Sequence, residues 1–339
     1  MPEKTWLQKF LDWLNSLFNP TRSIPLPPTP EPTPQPSGPP TPLERAVLLI
    51  IYNPRIPSEG NRPLLEVMGW SSPVLLAQAY SATLADCSGG FASYHIADTV
   101  EVDGIPRKAD GYQYTADELL AVLRRTAPAH DPDLADYNRI LTDFNIPARV
   151  SSGEIDEVWM FAFPYGGFYE SRMAGPGAFT CNSPALASAS TGTRRYVLMG
   201  FNPERGVGEM LESFGHRAED TLRRVYRFKS GEANLFERFE RYDQQNPGQA
   251  EVGSIHYAPN SQSDYDWGNP RPVSSRCDNW LHFPDLSGAP RTVTCADWGG
   301  GEIRLHHVWW LRRLPHVSGQ TGGINNNWWG YVVDPNTVE

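Results

Sequence analysis

Positive charge is scarce in this sequence: Lys and Arg total 29 against 39 Asp and Glu, the formal net charge is -10, and no long basic run occurs. A nucleic-acid backbone is therefore not expected as the main partner, because phosphate binding needs a positive surface that releases counterions. Long apolar runs are missing too. Nothing approaches the roughly 18 consecutive apolar residues that span a bilayer, so no transmembrane segment is expected. Gln8, Lys9, Asp12 and Asn15 interrupt the apolar residues of Met1 to Phe18, which excludes the continuous core of a signal peptide but leaves export by another route open. Cysteine is limited to Cys87, Cys181, Cys277 and Cys295, spaced like neither a zinc knuckle nor a CxxC redox site. An even number of cysteines admits one or two disulfides, with Cys277 and Cys295 the pair of suitable spacing, and equally admits four buried thiols.

What is present is a chain of 339 residues, 40% of them hydrophobic, enough to close a substantial core. Trp6, Leu7, Phe10, Leu11, Leu14, Leu17 and Phe18 recur at intervals of three and four, so an amphipathic helix is expected over residues 1–19, stopped by Pro20. Residues 20–43 alternate proline with Thr, Ser, Glu and Gln, a composition for an extended linker. The tethered helix is expected to dock on its own domain, on another subunit or on a partner. Its polar face has little of the positive charge that a membrane surface favours.

Residues 44–339 read as one globular domain of α/β (α+β) class, a helix-backed mixed sheet with a loop-rich, tryptophan-rich C-terminal part. The unbroken apolar run Ala46 to Tyr52 predicts a strand buried on both faces. Ser72-Pro73 opens a helix through Ala85, Phe91 to Val102 predicts a strand, and Thr115 to Glu118 has capping-box spacing. A helix is expected over Leu134 to Phe144, a strand near the middle of a sheet over Ile155 to Phe163, and another strand over Tyr196 to Phe201. Gly206 to Tyr226 carries the longest helical pattern, and Asn234 to Tyr242 a shorter one. No internal repeat is found.

On the helix from Gly206, the residues Val207, Leu211, Phe214, Ala218, Leu222 and Val225 form one apolar side. Glu212, His216 and Glu219 fall within about 60° of one another, roughly 140° from the centre of that stripe. Side chains four apart on a helix can reach one ion together, and carboxylate oxygens with imidazole nitrogens suit zinc. A solvent-exposed face with a Glu219–Arg223 pair would show the same row. Gly208 and Gly215 each cost a helix about 1 kcal/mol relative to alanine, which makes sense if something packs very close to them.

The strand Ile155 to Phe163, then Tyr165-Gly-Gly167, a further strand, and a helix containing Glu212-Ser-Phe-Gly-His216 resemble the catalytic core of the zincin metallopeptidases. In that family an edge strand lying along the substrate precedes a helix bearing His-Glu-x-Gly-His. The resemblance implies a zinc-dependent hydrolase of peptide or amide bonds, with His216 as the second metal-binding histidine and Glu212 in the place of the first. Ser213 departs from the pattern, standing where the family has its catalytic glutamate, and a serine hydroxyl is no general base near neutral pH without a base of its own. Glu219 or Glu209 would have to take that role, or the protein would be a degenerate relative.

A third ligand must come from elsewhere, and His256, entering a Pro/Asn turn, is the candidate, with the adjacent Tyr257 as an oxyanion donor. His306 and His307 are adjacent, so on a strand at most one of them shares a site. Competing constellations are a nucleophilic Cys181, a calcium loop over Ser263 to Asn269 that lacks the closing glutamate, and a carbohydrate-binding protein or glycoside hydrolase. The last rests on the tryptophans of the C-terminal third, Trp328 and Trp329 above all, whose faces suit sugar rings. A non-catalytic structural or interaction protein is the remaining alternative.

Overall fold

The structure, a computed structural model, describes residues 40–186 and 192–339, which belong to one compact unit, Pro36–Glu339. The helix expected over residues 1–19 and the linker up to residue 39 lie outside the described residues. Among the described residues no helix is long and apolar enough to cross a membrane.

In chain order the elements that matter here begin with strand β1 (Leu43–Tyr52), helix α1 (Pro73–Cys87) and strand β2 (Ala92–Val102). Three helices follow, α2 (Ala116–Leu123), α3 (Tyr137–Asp143) and α4 (Ile146–Ser152). Then come strands β3 (Glu157–Phe161), β4 (Ser171–Ala174) and β5 (Tyr196–Phe201), and helices α5 (Val207–Val225) and α6 (Leu235–Phe239). The C-terminal part contributes a small hairpin, β6 (Val273–Ser275) with β7 (Arg291–Val293), and helices α7 (Ile303–Leu311) and α8 (Trp328–Val333).

The fold is mixed α/β. Its sheet has five strands in the order β2-β1-β3-β5-β4, parallel except for β4, which runs antiparallel to β5 at the edge. The residues of β1 divide between two cores, as strand alternation requires. Val47, Leu49 and Ile51 pack with α1, α5 and the C-terminal aromatics, while Leu48, Ile50 and Tyr52 pack with α2, α3 and α4. Layers on both faces explain why Val47 through Ile50 are fully buried and why the run shows no polar alternation. Between Val47 and Leu48 the register with β2 shifts, leaving Ala97 as an extra residue.

Local chemistry accounts for the element ends. Ser72 caps α1, the Thr115–Glu118 capping box starts α2, and Glu209 accepts from the Gly206 amide to start α5. The helix expected over Leu134 to Phe144 is shorter, because Asp136 caps it by accepting from Arg139 N and Asn145 leaves helical geometry at φ 50°. Strand β4 is a short element that follows Tyr165-Gly-Gly167 and lies outside the strands read from the sequence. Its four residues are too few for periodicity to register.

Two expectations are corrected by packing. Cys277 and Cys295 are both free, as are Cys87 and Cys181. In the β6–β7 hairpin Ser275 pairs with Arg291 and Val273 with Val293, so Cys277 lies beyond one end of the hairpin and Cys295 beyond the other. Trp328 and Trp329 present no face to a sugar: both are fully buried, and Trp267, Trp280, Trp298, Trp309 and Trp310 are buried with them.

Candidate metal centre

The Glu/His/Glu row of α5 is what either a ligand face or a solvent-exposed helix face would show. Glu212 and Glu219 of that row are buried, because the segment from Gly253 to Trp267 and helix α7 lie over that side. Close approach is possible because Gly215 has no side chain. A Cβ there would meet two Ile255 side-chain atoms at 2.5 Å, and one at Gly208 would meet Ile303 at 2.7 Å. Gly253 turns the covering loop at φ 89°, where a Cβ would strike Tyr257 O at 2.0 Å. These contacts seat His256, the residue after Ile255, over the helix. Gly215→Ala is therefore expected to cost about 1–3 kcal/mol, read as a lower urea midpoint; an unchanged midpoint would show that the Ile255 seat yields freely.

Three donor atoms converge at this seam. His216 Nε2 is 2.9 Å from His256 Nε2, His256 Nε2 is 3.0 Å from Glu212 Oε1, and His216 Nε2 is 3.9 Å from the same oxygen. Among the described residues these form the group of His, Cys, Asp and Glu able to hold a metal ion, with all three ligand atoms within 4.8 Å of one another.

Each imidazole is backed by a carboxylate. His216 Nδ1 stands 3.1 Å from Glu219 Oε2 and His256 Nδ1 stands 2.9 Å from Asp264 Oδ1. Carboxylates accept hydrogen bonds, so each Nδ1 carries a hydrogen and each ring turns its Nε2 toward the same point. Two lone pairs 2.9 Å apart repel unless a proton or a cation lies between them. Burial opposes charge on His216, yet the Glu219, Glu170 and Glu212 carboxylates outweigh it and raise its pKa to about 9. The residues present thus fit a divalent cation: two nitrogens and one oxygen, oriented from behind.

Glu212 is strongly held as the anion. Burial would raise its carboxyl, but His256, His307 and Tyr265 outweigh burial and keep it well below the ordinary carboxylate range. Tyr265 donates its hydroxyl to Glu212 Oε1 at 2.8 Å and lies against the His256 ring at 4.2 Å. Its backbone sits at φ 58°, a costly conformation for a bulky residue.

Of the residues singled out from sequence, Glu212, His216 and His256 are brought together. Glu219 is placed behind His216, against its Nδ1, where it also accepts from the Ile255 amide at 2.9 Å, so its carboxylate is turned away from the point where the three donor atoms converge. Burial opposes ionisation of Glu219, and His216, Arg223 and that amide keep its pKa lowered. Tyr257 stacks on Tyr242 at 4.8 Å and does not reach Glu212; Tyr265 does. Cys181 is fully buried and its thiol is pushed up by burial to about 11, which removes it as a nucleophile. The segment Ser263 to Asn269 is a turn held together by Asp266, which accepts from Gln262 N and Asn269 Nδ2. His306 and His307 lie on helix α7 and not on a strand, and both are fully buried.

A cleft of about 290 Å3 reaches the centre, lined among others by Tyr165, Glu170, Arg205, Glu209, Glu212 and Ser213. Ser213 Oγ donates back to Glu209 O at 3.1 Å, a bond along its own helix. Glu170, just before β4, accepts from Asn182, and burial raises its carboxyl pKa against the pull of His216. The outer edge of β4 is closed by the chain itself: Leu186 N donates to Met173 O at 2.9 Å and Ser183 Oγ to Ser171 O at 2.8 Å. No protein-family model matches the chain, and neither a curated protein nor a solved structure matches it.

Proposed function

We propose that Glu212, His216 and His256 bind one divalent metal ion, zinc by donor type, in a hydrolase of zincin-like build that acts on peptide or amide bonds. The observation that carries this reading is the convergence of two carboxylate-backed imidazoles and one carboxylate on a single point. Two features support the likeness to zincins: an antiparallel edge strand, β4, precedes the helix that carries Glu212 and His216, and a cleft lined by the segment 163–170, the end of β5 and the start of α5 runs to Glu212. A bound zinc ion supplies Lewis acidity, polarising a carbonyl and making water a better nucleophile at neutral pH.

The chain's own residues have distinct tasks in this reading. Glu219 and Asp264 fix the tautomer and direction of the two imidazoles, and Tyr265 fixes Glu212. Ser213 cannot take a proton from water. Glu170, which shares the cleft with Glu212 and is held neither by a cationic side chain nor by a helix cap, takes that role. Its raised pKa, caused first by burial, brings it closer to what a general base needs.

A second reading, a non-catalytic binding module supported by its metal, is favoured by one observation: residues 181–186 occupy the strand edge along which an extended peptide would lie. Equilibrium dialysis against zinc separates the possibilities. About one ion per chain is expected for the native protein, with binding lost in Glu212→Ala, His216→Ala and His256→Ala; a native protein that retains no zinc overturns the metal centre. With binding established, hydrolysis of a peptide library that disappears in Glu170→Gln while zinc is retained supports the hydrolase. Zinc binding without any hydrolysis selects the binding module.

A further inference from the structure

Two histidines on α7 lie behind the centre without belonging to its three converging donors. His306 and His307 are both fully buried, and their Nδ1 atoms stand 3.1 Å apart. His306 stacks on Trp267 at 5.0 Å, and His307 meets the same indole edge-on at 5.0 Å. The Nε2 atom of each ring is buried without a hydrogen-bond partner. Leaving such an atom unsatisfied costs about 1–3 kcal/mol, and a leucine in either place would avoid that cost. The cost calls for an explanation in function.

The position of His307 Nε2 provides one. It stands 3.8 Å from Glu212 Oε2, while the other carboxylate oxygen, Oε1, takes His256 and Tyr265. That gap is roughly an ångström longer than a hydrogen bond, a distance that a turn of the carboxylate covers. We infer that His307 is a positioning residue for the metal centre: its Nε2–H holds Glu212 Oε2, fixing the carboxylate so that Oε1 faces His216 and His256.

The tautomers follow from this assignment. If His307 donates from Nε2, its Nδ1 is bare and accepts from His306 Nδ1–H, so the two rings form a directed chain ending on Glu212. Burial lowers the pKa of both histidines, His306 well below its ordinary value, and Glu212 only partly offsets this for His307.

The inference rests on the metal centre proposed above, and its test distinguishes the two. Zinc affinity of the full chain is measured for the native protein, His307→Leu, His307→Gln and His306→Phe, and the visible spectrum is recorded with cobalt(II) in place of zinc. His307→Leu is expected to weaken zinc about 10- to 100-fold, the usual loss when an outer partner of a ligand is removed, and to change the cobalt spectrum. His307→Gln, which keeps a donor near the Nε2 position, should restore both, and His306→Phe, which keeps the stack on Trp267, should weaken zinc by a smaller factor. Unchanged affinity and spectrum in His307→Leu, or equal losses in His307→Leu and His307→Gln, overturn the positioning role. Should the leucine variant fail to fold, His306→Phe with native affinity overturns it. A native protein that binds no zinc is a different result, which removes the metal centre itself and this role with it.

Discussion

Arg217→Met is expected to cost roughly 3–5 kcal/mol of stability, the usual consequence of stranding one partner of a buried ion pair. Arg217 projects from α5 into the core and is 1% exposed; its Nη1 donates to Glu157 Oε1 at 2.7 Å. Nε and Nη2 both donate to Val332 O, at 3.1 and 2.8 Å, so one guanidinium joins the central strand, helix α5 and α8. Trp159 Nε1 completes the set by donating to the same Glu157 oxygen at 2.9 Å. Methionine fills the space but leaves the Glu157 carboxylate buried with only an indole N–H. The double variant Glu157→Met, Arg217→Met should recover much of the loss, because both charges leave together. Urea denaturation of the three variants measures this. A single-variant cost below about 1 kcal/mol, the range of exposed pairs, would contradict the buried-pair account.

Trp328→Ala should cost a similar amount, about 3–5 kcal/mol. Trp328 is the hub of an aromatic cluster: its ring centroid lies 5.4 Å from Tyr226, 5.8 Å from Phe236, 5.7 Å from Phe239, 5.5 Å from Trp280 and 6.0 Å from Phe283. Those partners come from α5, α6 and the loop-rich part, so the ring ties irregular chain to the helix layer. Truncation leaves a cavity among rigid rings that cannot collapse into it. The expected signs are a lower unfolding midpoint and a weakened near-ultraviolet circular dichroism spectrum. A variant with native stability would mean that the cluster is not the core of this part of the molecule.

The sequence was most readable where one physical signal dominated. The apolar run Ala46 to Tyr52 has few alternatives to a strand covered on both sides, and the regular pattern from Gly206 emerges as α5 within a residue at each end. The glycine penalties at Gly208 and Gly215 pointed correctly to close packing. Glu212 and His216 were legible from spacing, and His256 from its turn. Helix α7 was not legible, because Ile303 to Leu311 mixes His and Trp on several sides and is buried on most of them, which erases helical periodicity. His306 and His307 were accordingly read as strand residues. Tyr257 was favoured by adjacency to His256, but the loop returns and delivers Tyr265 instead, a contact for which the sequence gives no local signal. On the helical wheel alone the polar side of α5 reads equally as a ligand face or a solvent face; what covers it, the segment from Gly253 to Trp267 and α7, comes from further along the chain.

The two borders of the main sheet are unlike. An exposed strand border is a template on which another chain can lay a strand. On one side β4 is already sealed by Ser183 and Leu186. On the other, no further strand among the described residues pairs with β2; the extra residue Ala97 breaks its regular spacing midway, and Asp98 and Glu101 lie beyond the break. A foreign strand would lose its pairing at that break and meet carboxylates beyond it, so the fold is guarded against growing a sixth strand from a neighbouring molecule.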